Sequence, residues 1–379
     1  MVLLTLAAVS GVLVYGMIAA LLGTILPELS KKLNLTPAQM GRIALAQAVG
    51  LVLASIAVGP LIGMAGKKVA LVLALAIVGF GLFSLPKSGS FGAVAGMLLT
   101  IGFGGGIIVA GANSLTSEMG NEMTEMTKTN LLNSFFGLGG LLTPFIAANL
   151  FKGDSKKLLG LIFVVTMVSL LLCAVGPLPG APAEAGAAFA GAGEVLGSGA
   201  FWLVSLLFFF YIACEVGVWN WLVQHLVAQG IPEKSALNAL SLGFALGLLL
   251  GRLLVVPFLP KDLSPVQVTL GAAVLMAVTT YLMLQASSAT MAAGMVFVAG
   301  LAMAPVFPNC IAITLTMFKG NPTALGLALV FGWMGLAVSS PIIGALGGGD
   351  TKKLKTALLV LPAMSVVMIG ISFVLMGRS

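Results

Sequence analysis

The feature that most constrains the fold of this chain is a series of long apolar runs. A helix needs about 20 apolar residues to cross the ~30 Å hydrocarbon core of a bilayer. The runs are continuous and lack the alternation of membrane β-strands, which favours helices. Twelve runs have this character, at 3–28, 38–63, 68–86, 91–117, 128–151, 157–178, 200–226, 235–257, 265–286, 290–317, 322–346 and 354–377. The sequence therefore predicts an all-α membrane protein with twelve transmembrane helices.

Composition agrees with this prediction and excludes several classes of protein. The 379-residue chain is 59% hydrophobic and 8% charged, whereas a soluble domain has about 25% charged residues. Its net charge of +7 does not indicate a nucleic-acid partner, because the basic residues are scattered through short connections. The sequence has no CxxC or Cys/His cluster and no phosphate loop ending in Gly-Lys-Ser/Thr. We therefore expect no metal, no cofactor and no ATP-driven transport by this chain.

An internal repeat divides the predicted helices into two sets of six. Residues 179–199 follow the sixth run and are rich in Ala, Gly and Pro, as in a linker. We therefore predict domains at 1–178 and 200–379. Sliding the sequence against itself by 196 or 197 positions aligns Gly50 with Gly247, Pro60 with Pro257, Pro144 with Pro341 and Tyr15 with Tyr211. Two parallel six-helix repeats are a plan of secondary transporters, which bind their solute at the repeat interface.

Several segments resemble the major facilitator superfamily of transporters. Residues 59–68, GPLIGMAGKK, are similar to the loop between helices two and three of that family, although Gly63 stands where the family pattern has an acid. Other segments resemble helices four, five, seven, eight and ten of the sugar-transporting branch that includes fucose:proton symporters; they are 113–115, 132–144, 211–221, 251–253 and 304–309. The resemblance implies the major facilitator fold, with two pseudo-symmetric six-helix bundles.

The resemblance does not extend to the residues that couple transport to protons in fucose symporters. Fucose symporters have proton-coupling carboxylates in helices one and four, and this sequence has none inside either run. The family also keeps both termini in the cytoplasm. Here the connections that would lie outside carry more basic residues than those that would lie inside, contrary to the positive-inside rule. We keep the family orientation, in a multi-pass protein of the cell membrane.

Glu215 most needs an explanation, because it lies near the middle of the apolar run 201–226. A charge there costs about 2.5 kcal/mol or more, so an intramembrane acid is a functional hypothesis by default. On a helix, Glu215 shares a sector about 80° wide with four residues, and Trp219 lies beside it. The four residues are Tyr211, Val218, Leu222 and His225. We predict that Tyr211, Glu215 and Trp219 bind the solute.

The chemistry of these three side chains suits a sugar. Sugar C–H faces stack on an indole, and sugar hydroxyls donate hydrogen bonds to a carboxylate. Glu215 can also load and release a proton during transport. The competing interpretation is that Glu215 is a protonated packing residue and that Trp219 belongs to an aromatic belt. His225 lies near the outer end of the run, where an interfacial hydrogen bond explains it as well as a transport role does.

Three further residues, Tyr15, Gln47 and Trp333, lie deep in their runs. By resemblance, helices one, seven and eleven line the central cavity. Tyr15 and Trp333 are therefore candidates for substrate contacts, with helix packing as the alternative. The Gln47 amide needs a hydrogen-bond partner in the membrane, so it faces protein or water. We include all three in the predicted substrate site.

Four basic residues, Arg42, Lys67, Lys68 and Arg252, are candidates for gates. Arg252 lies toward the inner end of its run, too far along the membrane from Glu215 for a direct ion pair. Snorkelling to the interface or a cytoplasmic gate explains it better. Arg42, near the outer end of the second run, has the same two interpretations. Lys67 and Lys68 would bind the loop acid that is missing here, so their gate must be weakened or rebuilt.

Other residues of the runs have structural explanations. Asn113, Asn133 and Asn309 are predicted to form hydrogen bonds between helices rather than substrate contacts. Pro305 and Pro308 are predicted to break the tenth helix and free backbone carbonyl groups.

These observations predict a secondary active transporter that moves a small polar solute, a sugar, by alternating access with proton coupling. One alternative is an exporter of amphipathic compounds, which the 19 Met and 21 Phe side chains suit. The other is an uncoupled uniporter in which Glu215 only binds solute. An enzyme is not expected, because a solvated helical turn explains the acidic cluster Glu118, Glu122 and Glu125. We expect a monomer in the bilayer that binds a small-molecule substrate and a coupling ion.

Overall fold

In the computed structural model, the described part of the chain is built from helices and contains no strand. The structure describes residues 2–115, 125–178, 192–255, 258, 260, 263–286, 288–318, 322–347 and 351–377. Its α-helices are α1 (Val2–Leu33), α2 (Pro37–Ser84), α3 (Phe91–Asn113), α4 (Glu125–Asn149), α5 (Ser155–Val175), α6 (Ala192–Gly197), α7 (Gly199–Ala228), α8 (Glu233–Asn238), α9 (Leu246–Leu250), α10 (Pro265–Leu284), α11 (Ala289–Met303), α12 (Val306–Met317), α13 (Pro322–Gly347), α14 (Thr351–Ala357) and α15 (Val360–Met376).

The twelve predicted spans are confirmed, although two of them share one long helix. Eleven helical segments of the described chain are long and apolar enough to cross a membrane. One of these, Pro37–Lys87, has 51 residues, enough for two crossings at 1.5 Å per residue. Gly66 interrupts it with a φ of 81°, a backbone conformation that favours glycine. The chain therefore breaks where the sequence placed the connection between the second and third helices.

Two spans depart from regular α-helix. The tenth span, Ala289–Met317, is interrupted between α11 and α12 at Pro305, as predicted. The eighth span, Glu233–Leu254, consists of α8 and α9 with two π-helical segments, Ala239–Ala245 and Gly251–Val255. These spans are called helix ten and helix eight below. The π-helical segments were not predicted, and such segments occur frequently at functional sites.

The chain divides into two compact units. Unit 1 contains Met1–Leu35 and Arg42–Ala188, and unit 2 contains Thr36–Gly41 and Phe189–Ser379. The first residues of α2 thus belong to unit 2, where a Cβ on Gly41 would lie 2.7 Å from the Ser340 carbonyl oxygen. Of the proposed linker 179–199, residues 179–191 lie outside the described residues, as do Glu118, Glu122 and Pro257.

Each unit is held together by the same kind of close helix crossing. In unit 1, Gly50 of α2 lies against the backbone of Leu99, and Gly102 of α3 lies against that of Gln47. Unit 2 repeats both contacts about 197 residues later; there Gly247 lies against the backbone of Phe297, and Gly300 against that of Phe244. Small residues allow membrane helices to approach this closely. The repeated contacts give the two bundles their pseudo-symmetry.

A second crossing recurs in the same way, between the first and fifth spans of each unit. Gly139 of α4 lies against the backbone of Leu13 in α1. In unit 2, Gly335 of α13 lies against the backbone of Phe209 in α7, with both positions shifted by 196 residues (335 − 139 and 209 − 13). The helix that carries Tyr15 and the helix that carries Tyr211 are therefore anchored alike.

Outside the spans, Asp154 fixes the start of α5. Its carboxylate accepts hydrogen bonds from the backbone N–H groups of Lys156 (3.0 Å) and Lys157 (3.1 Å), and it lies 3.3 Å from the Lys157 ammonium nitrogen. The hydrogen bond from the Lys157 N–H, together with the Lys157 side chain, lowers the pKa of Asp154 below its ordinary value of 3.8. This cap satisfies two of the free N–H groups at the helix start.

Candidate functional site

The predicted face of α7 is buried inside unit 2. Tyr211, Glu215 and Trp219 are spaced four residues apart, so they lie on one side of the helix. Glu215 is 7% exposed, and its Oε1 accepts a hydrogen bond from Trp219 Nε1 at 3.3 Å. The Tyr211 side chain is fully buried, and its hydroxyl has no hydrogen-bond partner among the described residues. The face therefore holds one acid and one unsatisfied hydroxyl.

Helix eight adds an aromatic ring and a cation to this face. Phe244, in the first π-helical segment, packs edge-on against Trp219 with ring centroids 5.0 Å apart. Arg252, in the second, is buried within unit 2 and lies within electrostatic reach of Tyr211, as does Glu215. The assignment of Arg252 to a gate stays a prediction.

Helix ten supplies the remaining neighbours. Phe307, in the first turn of α12, has its ring centroid 6.5 Å from that of Tyr211 and 5.7 Å from that of Phe208. Cys310, one turn later, is buried within electrostatic reach of Tyr211. Six residues of α7, helix eight and α12 thus lie on or near this face of α7. We call them the Tyr211 cluster: Tyr211, Glu215, Trp219, Phe244, Arg252 and Phe307.

The adjacent helix α13 supports α7 without adding Trp333 to the cluster. Asn220 donates a hydrogen bond to the Ser340 hydroxyl at 3.1 Å, which joins α7 to α13. Trp333 is half-buried, and within the described chain it forms no ring contact or hydrogen bond. Its predicted substrate contact stays a prediction.

His225 is buried near the C-terminal end of α7. Its Nε2 lies 3.2 Å from Nε2 of Gln229, one turn later. Its Nδ1 has no partner among the described residues. The hydrogen bond agrees with the structural interpretation of this residue, but the ring lies inside unit 2 and not at its surface.

In unit 1, the two predicted substrate residues are both buried in helix contacts. The Tyr15 ring packs against Phe136 of α4, with ring centroids 5.4 Å apart. Gln47 Nε2 donates a hydrogen bond to the backbone carbonyl of Ile18 at 3.3 Å. The amide thus has the protein partner that its position in the membrane required, and it joins α2 to α1.

The basic residues assigned to gates have different surroundings. Lys67 Nζ donates to the Ser114 carbonyl at 2.7 Å, and Lys68 Nζ donates to the Gly176 carbonyl at 3.1 Å. These carbonyls follow the C-terminal ends of α3 and α5, where positive charge is favourable. Arg42 of α2 is exposed. The two lysines therefore bind backbone oxygens of unit 1, a connection that needs no loop acid.

The three asparagines Asn113, Asn133 and Asn309 differ in their hydrogen bonds. Asn133 Nδ2 donates to Asn113 Oδ1 at 2.9 Å, which joins α4 to α3 and confirms the predicted hydrogen bond between helices. For Asn309 it stays a prediction; its buried amide nitrogen has no partner among the described residues. Asn309 lies in the first turn of α12, just after the break at Pro305. No group of His, Cys, Asp and Glu side chains in the described residues could hold a metal ion.

Comparison with known proteins identifies the family. A family model described as Major Facilitator Superfamily matches residues 8–340. The chain belongs to this superfamily. Family membership makes it an integral membrane transporter of small molecules, not an enzyme, and confirms the resemblance of its loop and helix motifs.

Individual relatives are more distant. The chain is 30% identical over 162 residues to the 4-hydroxybenzoate transporter PcaK of Pseudomonas aeruginosa, a match that covers 41% of this chain and 36% of the relative's length. Among solved structures, it is similar to the Escherichia coli fucose:proton symporter FucP, at 17% identity and a TM-score of 0.68 over 97% of each chain. It is also similar to a D-xylose-proton symporter, at 15% identity and a TM-score of 0.79 over 98% of this chain and 97% of that one. At these identities the solved structures show the fold alone.

Proposed function

We propose that this transporter moves a small hydroxyl-bearing solute, such as a sugar, together with a proton by alternating access. The observation that carries the proposal is the buried pair on α7, in which Glu215 lies one turn from the unsatisfied hydroxyl of Tyr211. Buried polar groups are nearly always hydrogen-bonded, so in this proposal the Tyr211 hydroxyl and the acid beside it both bind the polar solute. An intramembrane acid marks substrate or proton pathways.

Glu215 has two tasks in this proposal. One carboxylate oxygen accepts the Trp219 N–H, which leaves the second to accept a solute hydroxyl or to bind the proton. Tyr211 and Cys214 of α7 interact electrostatically with Glu215. Arg252 of helix eight and Cys310 of α12 interact electrostatically with Tyr211. A proton on Glu215 removes its charge before the site changes exposure, since moving an uncompensated charge through hydrocarbon is costly.

The remaining assignments complete the proposal. Tyr211 and Trp219 contact the solute beside Glu215, and Tyr15, Gln47 and Trp333 contribute from other helices. Arg42, Lys67, Lys68 and Arg252 serve gates. The transporter acts as a monomer in the cell membrane with cytoplasmic termini, and its domains are 1–178 and 200–379.

The names of similar proteins support a hydroxyl-bearing solute in two ways. Two of the solved structures are proton symporters of the sugars fucose and xylose. The relative PcaK is a transporter of 4-hydroxybenzoate, which makes a hydroxylated aromatic acid the second candidate solute. Both candidates have hydroxyl groups that can donate hydrogen bonds to the Glu215 carboxylate.

Ligand-dependent unfolding of the purified protein tests the solute class. L-fucose, D-xylose, 4-hydroxybenzoate and the lipophilic cation tetraphenylphosphonium serve as probes, because a ligand at 100 times its Kd stabilises the folded state by about 2.7 kcal/mol. We expect at least one hydroxylated probe to raise the melting temperature and to enter proteoliposomes faster with an inward proton gradient. Stabilisation by the lipophilic cation alone would instead support an exporter of amphipathic compounds.

A further inference from the structure

We infer that unit 2 contains a second binding site, for a neutral hydroxyl-bearing molecule, on the C-terminal third of α7. Its polar atoms belong to Trp221, Gln224 and His225, which the proposed solute site does not use. These three residues are called the His225 site below. The inference goes beyond the proposed function and rests on it only for the class of solute, since the ligand is a second molecule of that solute.

The first argument is a group of three buried polar atoms that have no hydrogen-bond partner among the described residues. They are Nε1 of Trp221, Oε1 of Gln224 and Nδ1 of His225. The side chains of Trp221 and His225 are fully buried. Gln224 and His225 follow Trp221 by three and four residues, so both lie next to it on the helix surface. Since a buried polar atom without a partner is rare, three adjacent ones point to a common polar ligand.

This side of α7 faces the junction between α14 and α15. Gly217, one turn before Trp221, packs against the Leu361 side chain of α15. Cys214 lies 3.7 Å from the carbonyl oxygen of Leu361 and 3.7 Å from the hydroxyl oxygen of Ser365. Later residues of α7 thus meet earlier residues of α15, so the two helices run antiparallel. Because α14 precedes α15 and also packs against α7, the His225 site faces α14 and this junction.

The matching part of unit 1 has no such group of atoms. At the repeat offset of 196, the three residues of the His225 site match Ile25, Glu28 and Leu29. Ile25 and Leu29 are apolar and buried. Glu28 Oε2 accepts a hydrogen bond from the backbone N–H of Ser155, at the start of α5, at 2.9 Å. Unit 1 therefore fills these positions with two apolar side chains and a hydrogen-bonded carboxylate.

The hydrogen bond between His225 and Gln229 determines which ring atom of His225 donates. Nε2 of His225 lies 3.2 Å from Nε2 of Gln229. An amide nitrogen donates and does not accept, so the histidine Nε2 accepts and the neutral ring carries its proton on Nδ1. The site therefore has two donors, the N–H groups of His225 and Trp221, and one acceptor, the amide oxygen of Gln224.

This combination of donors and acceptor selects a neutral ligand. Two N–H dipoles disfavour a cation, and the carbonyl oxygen of Gln224 disfavours an anion. A hydroxyl group both donates and accepts, so a molecule with two adjacent hydroxyls can bond to all three atoms. Lys355 of α14 donates to Oε1 of Gln285, at the end of α10, at 3.0 Å. Its ammonium group is thereby directed toward α10.

The His225 site is separate from the acid at the middle of α7. Trp221 and His225 follow Glu215 by 6 and 10 residues, which places them about 9 and 15 Å further along the helix at 1.5 Å per residue. The two sites are therefore filled by different molecules, and the chain binds two molecules of solute.

Single-tryptophan variants of the full-length protein observe the two sites one at a time. The chain has four tryptophans, and replacing three of them by Phe leaves either Trp221 or Trp219 as the fluorescent reporter. D-xylose and L-fucose are the neutral probes, and D-gluconate is the anionic probe. We expect one neutral sugar to change the fluorescence of both reporters, and D-gluconate to change that of Trp221 at about 10-fold higher concentration or not at all.

The paired substitution Gln224→Leu with His225→Leu removes two of the three polar atoms and makes the site resemble unit 1. It should weaken the Trp221 response by about 10-fold or more, the range of two neutral hydrogen bonds, and leave the Trp219 response unchanged. In the wild-type background, it should lower the bound sugar from two molecules per chain to one in equilibrium dialysis. The exposed control Lys234→Gln should keep both molecules.

The outcomes separate this inference from the proposed function. A Trp221 response that survives the paired substitution, or one bound sugar per wild-type chain with a normal Trp219 response, would overturn the second site; its polar atoms would then bind water only. A response of Trp221 without one of Trp219 would support this site and contradict the solute site at Glu215. Failure of both reporters to respond to either neutral sugar would overturn both. If a variant fails to fold, dialysis with the wild type still decides between one site and two.

Discussion

The first helices of the two units, α1 and α7, are packed alike but differ in polar content. Tyr15 and Tyr211 occupy matching positions, 196 residues apart. One turn further along, α7 has Glu215, whereas the matching residue of α1 is Ala19 (215 − 196 = 19). The helix crossings recur in both units, but the acid occurs in one. The repeat therefore determines the backbone packing of the two helices, and individual side chains determine their chemistry.

The same contrast holds one helix later. Gln47 and Phe244 match at an offset of 197 (244 − 47), and a glycine packs against the backbone of each. The Gln47 amide is used for a hydrogen bond to α1. Phe244 instead packs edge-on against Trp219 of α7. At this position unit 1 thus joins its helices through a polar side chain, whereas unit 2 joins them through an aromatic contact.

Substitutions at the helix crossings that the two units share have the largest expected effect on stability. Leucine at Gly50 or Gly247 would drive a side chain into a helix backbone, so each substitution should cost about 3 kcal/mol or more, the upper end of overpacking penalties. Thermal unfolding in detergent measures the loss. The control is Gly271→Leu, where a Cβ meets nothing within 4 Å. If one glycine tolerated leucine and the other did not, the two units would not share this crossing.

Substitution of Lys68 has a smaller expected effect on stability, and the contact that it removes lies within unit 1. Its ammonium group binds the carbonyl that follows α5, so Lys68→Met should cost about 0.3–1 kcal/mol, the usual value of a charge at a helix end. Lys156→Met, an exposed substitution at the other end of the same helix, is the matched control. A melting temperature of Lys68→Met equal to that of the control would remove Lys68 from the helix-end contact.

Substitution of Asp154 has the smallest expected effect on stability, and the size of this effect depends on pH. Because its pKa is lowered in the folded state, its stabilisation is fully present above the ordinary value of 3.8 and is lost as the pH falls through the folded value. Asp154→Ala should cost about 0.5 kcal/mol at neutral pH, the low end for a helix cap, because the site is exposed. Asp154→Asn should retain the cap and lose its acid sensitivity. Identical acid unfolding of wild type and Asp154→Asn would contradict this.

The spans were predictable because a bilayer imposes a length and a composition on each helix. The breaks at Gly66 and Pro305 were predictable too, since each residue type favours a local backbone conformation or removes a donor. The placement of Glu215 and Trp219 on one side of α7 followed from helical spacing. All of these features depend on residues that lie close together in the sequence.

Other features depend on contacts distant in sequence and were missed. The π-helical segments of helix eight accompany three glycines, Gly243, Gly247 and Gly251, that pack against helix ten. Their spacing of four residues was visible, but the partner helix was not. The carbonyls bound by Lys67 and Lys68 lie 47 and 108 residues away, and no local pattern identifies them.

The central claim is that Glu215 carries the transported proton, and one measurement tests it most directly. Solute accumulation under an inward pH gradient is compared with solute exchange at equal pH, for wild type, Glu215→Gln and the exposed control Glu194→Gln. One coupled proton supports about 10-fold accumulation per pH unit, because a pH unit is worth 1.36 kcal/mol. We expect Glu215→Gln to keep solute exchange and to lose this accumulation, while the control keeps both. Accumulation by Glu215→Gln with the pH dependence of wild type would contradict it.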